Sequence, residues 1–297
     1  MARLGVMIEA QEGLDWDRWR RIVKDAERYG FAALRVSDHC QSTMGEDRSS
    51  VQSWLALALA AEWSESIELA PMVSPITFYE PGMLARLAIG VDQLSKGRLL
   101  LGVGAGWNPI EHEAFGIPFP SMRERFDRLD QGLALIEDVC SRVVGARKLP
   151  ILIGGGGERR TLPLVARYAT EWNGPSDLEA YRSKSALLEG YCAELGRDPG
   201  EIRRSIMTSC VIARDEAELL DRVGNLQEVL VQFRGMDRRE ALAALRQRWP
   251  VGTPEEIVTA LRPYREAGIE LIMLQHFALD DSDALRLLAE EVAPALA

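Results

Sequence analysis

Short apolar runs of strand length alternate with helical patterns eight times along the chain, and this alternation constrains the fold most strongly. Two parallel strands require a crossover connection, usually a helix, so repeated strand–helix units predict a parallel α/β sheet. The predicted strands are residues 4–8, 31–36, 67–72, 99–103, 151–153, 171–173, 202–213 and 269–274. The predicted helices include residues 53–63, 81–94, 122–140, 161–169, 178–195 and 281–296.

Eight such units in 297 residues favour a single (β/α)₈ barrel domain over residues 1–297. The charged, mostly helical segment at about 214–250 is predicted to be an excursion from this barrel. A doubly wound open sheet is the alternative, but no dinucleotide-binding fingerprint follows the first strand.

Composition limits the classes of partner. The net charge of −10 argues against nucleic acid or an anionic membrane as the main partner. No apolar run reaches transmembrane length, and the N-terminus lacks the basic region of a signal peptide. The four cysteines lie far apart, as expected for reduced thiols. We therefore expect a cytoplasmic protein that acts on a small molecule.

In a parallel barrel, ligand sites form where the strands end and their loops begin. Polar, glycine or aromatic residues follow the apolar strands at these positions, although each of them also has an ordinary structural explanation. Asp38, for example, is suited to capping a turn. The candidates are Glu9, Asp38, His39, Pro71, Met72, Ser74, Gly104, Gly106, Trp107, Gly154, Gly155, Gly156, Gly157, Asn173, Gln275 and His276.

Two glycine-rich strand ends stand out. In 97–108, GRLLLGVGAGWN, glycines alternate after an apolar run, which allows a flat ligand to approach the backbone or simply allows tight packing. Gly154–Gly157 leads through Glu158, Arg159 and Arg160 into a predicted helix. Free N–H groups and the helix dipole favour an anion there, and no GK[ST] sequence follows, so the phosphate of a flat cofactor fits better than a nucleotide loop.

The sequence does not support a metal site or a serine nucleophile. The three histidines, His39, His112 and His276, lack metal-ligand spacing, so no metal site is predicted and a zinc hydrolase is rejected. No GxSxG nucleophile elbow is present either. His112, in the predicted loop 109–116, is interpreted as a surface or packing residue.

Taken together, these motifs resemble the luciferase-like monooxygenase superfamily, and within it the branch of oxidoreductases that depend on the deazaflavin coenzyme F420. They run in order along nearly the whole chain. The resemblance is carried by VSDH at 36–39, VSP at 73–75 with YEP at 79–81, DQLSKGR at 92–98 running into 101–108, RFDRL at 125–129, IGGGGERRTL at 153–162 with VARYA at 165–169, WN at 172–173 and GTPE at 252–255.

The resemblance implies a (β/α)₈ barrel with a deazaflavin or flavin across the carboxyl ends of its strands. His39 and Asp38 match positions near the ring, His39 as a hydrogen-bonding or proton-donating group and Asp38 as its orienting partner. A non-proline cis peptide after the third strand is implied at Pro71–Met72. The turn from Gly154 to Arg159 and Asn173 match the region near the cofactor phosphate.

Further expectations concern the substrate and assembly. The substrate site is assigned to Glu9, Trp54, Gln275 and His276, beside an aromatic-lined pocket. Related barrels commonly pair, so we expect a homodimer, with helix 122–140 as a contributor unless its apolar face simply packs on the barrel. The connection 141–149 is shorter than relatives usually carry, which leaves site closure and substrate identity open. Two alternatives to the F420 enzyme are an FMN-dependent monooxygenase and a barrel that binds flavin without turnover.

Overall fold

Parallel strands form a closed barrel in the computed structural model, which describes residues 2–296. Within these residues the strands are β1 (Arg3–Ile8), β2 (Ala33–Val36), β3 (Glu68–Pro71), β4 (Ser74–Pro75), β5 (Leu101–Gly104), β6 (Ile151–Gly154), β7 (Glu171–Gly174), β8 (Arg203–Ser209), β9 (Val211–Ile212), β10 (Val251–Gly252) and β11 (Leu271–Gln275). The helices of the same residues are α1 (Trp16–Arg28), α2 (Ser53–Trp63), α3 (Pro81–Leu94), α4 (Pro109–Ala114), α5 (Met122–Arg142), α6 (Thr161–Tyr168), α7 (Leu178–Glu194), α8 (Glu216–Gln227), α9 (Arg238–Arg246), α10 (Pro254–Glu266), α11 (Ser282–Leu287) and α12 (Ala293–Leu296).

The main sheet has the strand order β3-β2-β1-β11-β8-β7-β6-β5-β4. Strand β4 resumes the path of β3 after a short irregular segment, so the two count as one interrupted barrel strand. The barrel closes because Leu69 of β3 accepts from Leu100 N at 2.8 Å and donates to Arg98 O at 3.0 Å. The predicted (β/α)₈ barrel is therefore confirmed.

Side chains alternate between the barrel interior and the layer under the helices. On β1, Val6 and Ile8 belong to the large core between strands and helices, whereas Met7 packs inside the barrel with Met273. At the amino end of the barrel the interior is ionic: buried Arg35 pairs with Glu68 and, at 3.2 Å, with Glu171. The side chains that face inward further along the strands lie at the opposite, carboxyl end of the barrel.

Helix α5 uses its apolar face within the chain. Leu129, Leu133 and Ile136 are buried in the main core. Of the two explanations given above for this face, packing on the barrel is the one that the structure supports. Exposed apolar side chains lie on α3, where Met83, Leu87 and Leu94 are spaced at helical intervals, and α5 itself exposes Met122 and Leu135.

The segment at 214–250 contains α8 and α9, which pack against Phe277 in a second hydrophobic cluster. Two local predictions were wrong. Residues 109–114 form helix α4 rather than a loop, with Asn108 as N-cap and Pro109 in the first position. The predicted strand 202–213 is interrupted at Cys210, after which β9 pairs with β10 outside the barrel. Among residues 2–296 no helix is long and apolar enough to span a membrane.

Candidate functional site

Asp38 and His39 follow the end of β2 at Val36 and contact different partners. The Asp38 carboxylate accepts hydrogen bonds from the hydroxyls of Ser74 and Tyr79, the latter at 2.9 Å. His39 instead meets Glu111 of α4, whose carboxylate oxygens lie 3.0 and 3.1 Å from its Nδ1. The two side chains thus have different partners: the Asp38 carboxylate is taken up by two hydroxyls, whereas Nε2 of His39 has no protein partner among the described residues.

Glu111 is the functional candidate that the sequence predictions missed. Its side chain is only 1% exposed, and it also accepts from the backbone N–H of Cys40 at 3.1 Å. Burial lowers the pKa of His39, but the hydrogen bond and charge of Glu111, with the charges of Glu9 and Asp38, outweigh this and raise it overall. The available signal was Asn108-Pro109, a helix start that brings Glu111 into the first turn.

Trp107 covers one edge of this pair. Its ring centroid lies 5.6 Å from that of His39 in an edge-on arrangement, and the residue is 64% exposed. Trp107 therefore lies at the open side of the candidate site. His112 of the same helix is fully buried and contacts Asn108 O and the hydroxyl of Thr77, so it packs the helix rather than facing the mouth.

The outward cluster around Asp38 is buried and hydrogen-bonded. Trp54 Nε1 donates to the Ser74 hydroxyl at 3.2 Å, and that hydroxyl donates to Asp38. Burial raises the pKa of Asp38 to about 6, although hydrogen bonds from Ser74 and Tyr79 oppose the shift. The polar atoms of Trp54 and Ser74, assigned above to substrate and cofactor, are thus engaged behind Asp38.

Glu9 and Gln275 lie together at the mouth. The Glu9 carboxylate accepts from the side-chain amides of Gln11, at 2.8 Å, and of Gln275, and the Ser209 hydroxyl donates to Gln275 at 2.7 Å. This network joins the ends of β1, β8 and β11. His276 is not part of this network. Its ring is buried beside Cys210, Arg222 and Trp249, and burial lowers the pKa of His276 to about 4. Neighbouring strand residues face opposite sides, so Gln275 and His276 do not share a site.

The glycine turn after β6 leaves a run of backbone donors without partners. Gly155 has a φ of +106°, which favours glycine, and its N–H donates to Asn173 O at 2.9 Å. Among the described residues, no protein acceptor lies within hydrogen-bonding range of the N–H groups of residues 156–160. Glu158 pairs with Lys184, and Arg159 is exposed. The side-chain amide of Asn173 donates to Ser205 at 3.2 Å.

The glycines of β5 make room for the segment between β3 and β4. A Cβ on Gly102 would lie 1.9 Å from the carbonyl oxygen of Pro71, and one on Gly104 would lie 2.8 Å from the Val73 side chain. The cis peptide is Met72–Val73, so the predicted Pro71–Met72 bond was wrong by one residue. The reason is that Met72 N still donates to Val36 O at 2.8 Å, so Met72 remains in the regular ladder and the irregular bond follows it.

The comparisons with known proteins identify the family of the chain and solved structures that share its fold. Residues 1–271 match the family model described as luciferase-like monooxygenase. The F420-dependent glucose-6-phosphate dehydrogenase of Kineococcus radiotolerans is 26% identical, over 91% of this chain and 90% of the relative. The F420-dependent hydroxymycolic acid dehydrogenase of Mycobacterium tuberculosis is also 26% identical, over 94% and 83%.

Solved structures share the fold. An F420-dependent secondary alcohol dehydrogenase in complex with an F420–acetone adduct superposes with a TM-score of 0.81 at 17% identity, over 100% of both chains. The monooxygenase RslO1 from Streptomyces bottropensis gives 0.79 at 21%, over 99% of this chain and 100% of that one. Together with the family match over most of its length, these findings show that the chain belongs to the luciferase-like monooxygenase family.

Proposed function

We propose that this protein is a coenzyme F420-dependent oxidoreductase that transfers a hydride between the deazaflavin and a small organic substrate. The observation that carries the proposal is the exposed run of unpartnered N–H groups at 156–160, at the same end of the barrel as His39. Such a run at a helix start suits the phosphate of a cofactor. The relatives named as F420-dependent dehydrogenases match over 91% and 94% of the chain and supply the identity of that cofactor.

The residues of the mouth fit a flat cofactor with a phosphate-bearing tail. The turn from Gly155 to Arg159 would hold the tail. The inward positions Gly104 and Gly154 carry no side chain; the Val73 side chain lies beside both of them, and the Pro71 carbonyl lies beside Gly102. The flat ring would therefore lie against glycine and Val73 between this tail site and His39.

The protein's own contribution to the chemistry centres on His39. When bound, F420 accepts or donates the hydride and leaves a proton to be moved at the substrate oxygen. Since Glu111 occupies Nδ1 of His39, Nε2 is the nitrogen that exchanges this proton. Glu111 fixes the ring orientation and stabilises the imidazolium, as a carboxylate partner does in other acid–base pairs. Asp38 positions the strand end through Ser74 and Tyr79.

Fluorescence titration with F420 and with FMN tests the cofactor. We expect tighter binding of F420, and a clear preference for FMN would overturn the proposal in favour of the monooxygenase. Single-turnover reduction of bound F420 then tests turnover. His39→Ala should lower that rate by about 10²–10⁴-fold. It should weaken cofactor binding far less, because a neutral hydrogen bond contributes only about 0.5–1.5 kcal/mol. Binding without any turnover in the unchanged protein would favour the non-catalytic barrel.

The proposal also includes a homodimer in the cytoplasm. Met83 and Leu87 on α3, with Leu55 on the neighbouring α2, are 63%, 41% and 59% exposed and form an apolar face suited to a second copy. All four cysteines are free thiols, which fits a reducing compartment.

A further inference from the structure

A chain of hydrogen bonds runs through the barrel interior from its amino end to its mouth. It begins at Glu171, whose fully buried carboxylate is contacted by Nε of Arg203 at 3.0 Å and by Arg35 at 3.2 Å. Both arginines also pair with Glu68, so two guanidinium groups balance two carboxylates. Because its charge is balanced in this way, Glu171 remains a carboxylate, which can accept hydrogen bonds but cannot donate them.

Ser205 links this carboxylate to Asn173. Its hydroxyl oxygen lies 2.7 Å from Glu171 Oε1 and 3.3 Å from Trp172 O, and both of these atoms are acceptors. A hydroxyl has a single proton, and pointing it elsewhere would leave two oxygens 2.7 Å apart with no proton between them. A lone pair of the hydroxyl therefore faces the third neighbour, the side-chain amide of Asn173 at 3.2 Å, which must donate.

The orientation of the Asn173 amide follows from this contact. Because Nδ2 donates to Ser205, Oδ1 is turned away from it. Oδ1 has no protein donor in the described part of the chain, and it retains access to solvent. Asn173 lies near the carboxyl end of β7, in register with Gly154 on β6 and with Ser205 on β8. Oδ1 is therefore the atom that Asn173 offers to a ligand in the space beside Gly154.

We propose that Asn173 Oδ1 accepts a hydrogen bond from the imide N–H of the deazaflavin ring, and that Ser205 and Glu171 are positioning residues that hold the amide in this orientation. The inference rests on the proposed function, since it takes F420 as the ligand. The pyrimidine edge of the ring carries one N–H between two carbonyl groups. An amide turned the other way would present N–H groups and would suit only the carbonyls. This places Asn173 at the ring end of the cofactor, whereas the sequence resemblance implied the neighbourhood of its phosphate.

NMR of the Asn173 side-chain amide, identified by its loss in Asn173→Ala, tests the orientation without any cofactor. We expect a nuclear Overhauser effect between the amide protons and the β-protons of Ser205, and slow exchange of the bonded proton with solvent. Ser205→Ala should speed this exchange about 2- to 13-fold, the effect of losing one neutral hydrogen bond. The matched control Thr208→Ala removes a hydroxyl from the opposite face of β8 and should leave the exchange unchanged. Absence of the Overhauser effect, or unchanged exchange in folded Ser205→Ala, would overturn the inference.

Titration with a modified cofactor tests the contact with the ring. F420 methylated at the imide nitrogen has no N–H there, so it should bind the unchanged protein about 2- to 13-fold more weakly than F420. Asn173→Ala has no acceptor and leaves room for the methyl group, so the two cofactors should bind that variant equally. Equal binding to the unchanged protein, or the same difference in Asn173→Ala, would overturn the inference. Failure of F420 itself to bind would refute the proposed function, whereas the NMR result would still decide the orientation of the amide.

Discussion

Replacing Glu111 by Gln tests whether the carboxylate acts through His39. The amide can still accept from Nδ1, so the change removes charge and preserves the hydrogen bond at about 3.0 Å. A hydrogen bond to a charged group contributes about 1.5–3 kcal/mol and a neutral one about 0.5–1.5 kcal/mol. The imidazolium formed during proton transfer therefore loses roughly 1–1.5 kcal/mol, which lowers kcat by about 5- to 13-fold.

The same substitution should change the pH dependence. In the direction of alcohol oxidation, His39 must be neutral to accept a proton, so the rate rises with pH through its pKa. Burial lowers that pKa, but Glu111 more than offsets burial and raises it. Removing the carboxylate should therefore lower the pKa of His39 and move the acid limb of the profile to lower pH.

The assay is stopped-flow reduction of bound F420 across a pH series, with cofactor affinity measured in parallel. Glu113→Gln is the matched control, because it makes the same charge change on the same helix at an exposed position. It should retain both the rate and the profile. An acid limb that stays in place in Glu111→Gln, whatever the rate, would refute the assignment of that limb to His39 and Glu111.

Three further substitutions test other parts of the structure. Gly155→Ala should weaken F420 binding about 5- to 30-fold because φ is +106° there, whereas Gly156→Ala should have little effect; equal losses in a titration would contradict this. Glu171→Gln should lower the free energy of unfolding in urea by about 3–5 kcal/mol, since it removes a fully buried partner of Arg35; a loss below 1 kcal/mol would refute that role. Leu87→Glu should convert a dimer to a monomer in light scattering, and an unchanged dimer would place the interface elsewhere.

Local signals explain which elements were predictable. The bounds of α2 and α3 were predicted to the residue, and in the structure Gln52 caps the first while Pro81 begins the second. Helix α4 was missed because six residues are too few to show a helical period, and only its cap and proline indicate it. The break at Cys210 depends on β9 pairing with β10, about forty residues later in the chain, which periodicity cannot show.

The residues of the candidate site also fall into two groups: those that local sequence patterns indicate and those that only tertiary packing brings in. The rule that ligand sites form at strand ends predicts His39, Glu9 and Gln275 from sequence, and the structure places all three at the carboxyl end of the barrel. The partner of His39 is 72 residues away, so no local pattern connects it with Glu111. His276 follows Gln275 directly, and only the strand register decides which of the two faces the mouth. Sequence therefore predicts the edge of the barrel that holds the candidate site, whereas tertiary packing decides which side chains meet there.

The glycines of β5 illustrate why that selection required the structure. A glycine leaves space beside the backbone that either a ligand or other protein atoms can occupy, and the sequence alone does not show which of them does. Here Gly102 leaves room for the Pro71 carbonyl, and Gly104 leaves room for the Val73 side chain. The irregular segment between β3 and β4 can therefore approach the mouth, where Val73 would contact a flat ligand. The glycines therefore affect the candidate site indirectly, because they position the segment that would contact the cofactor.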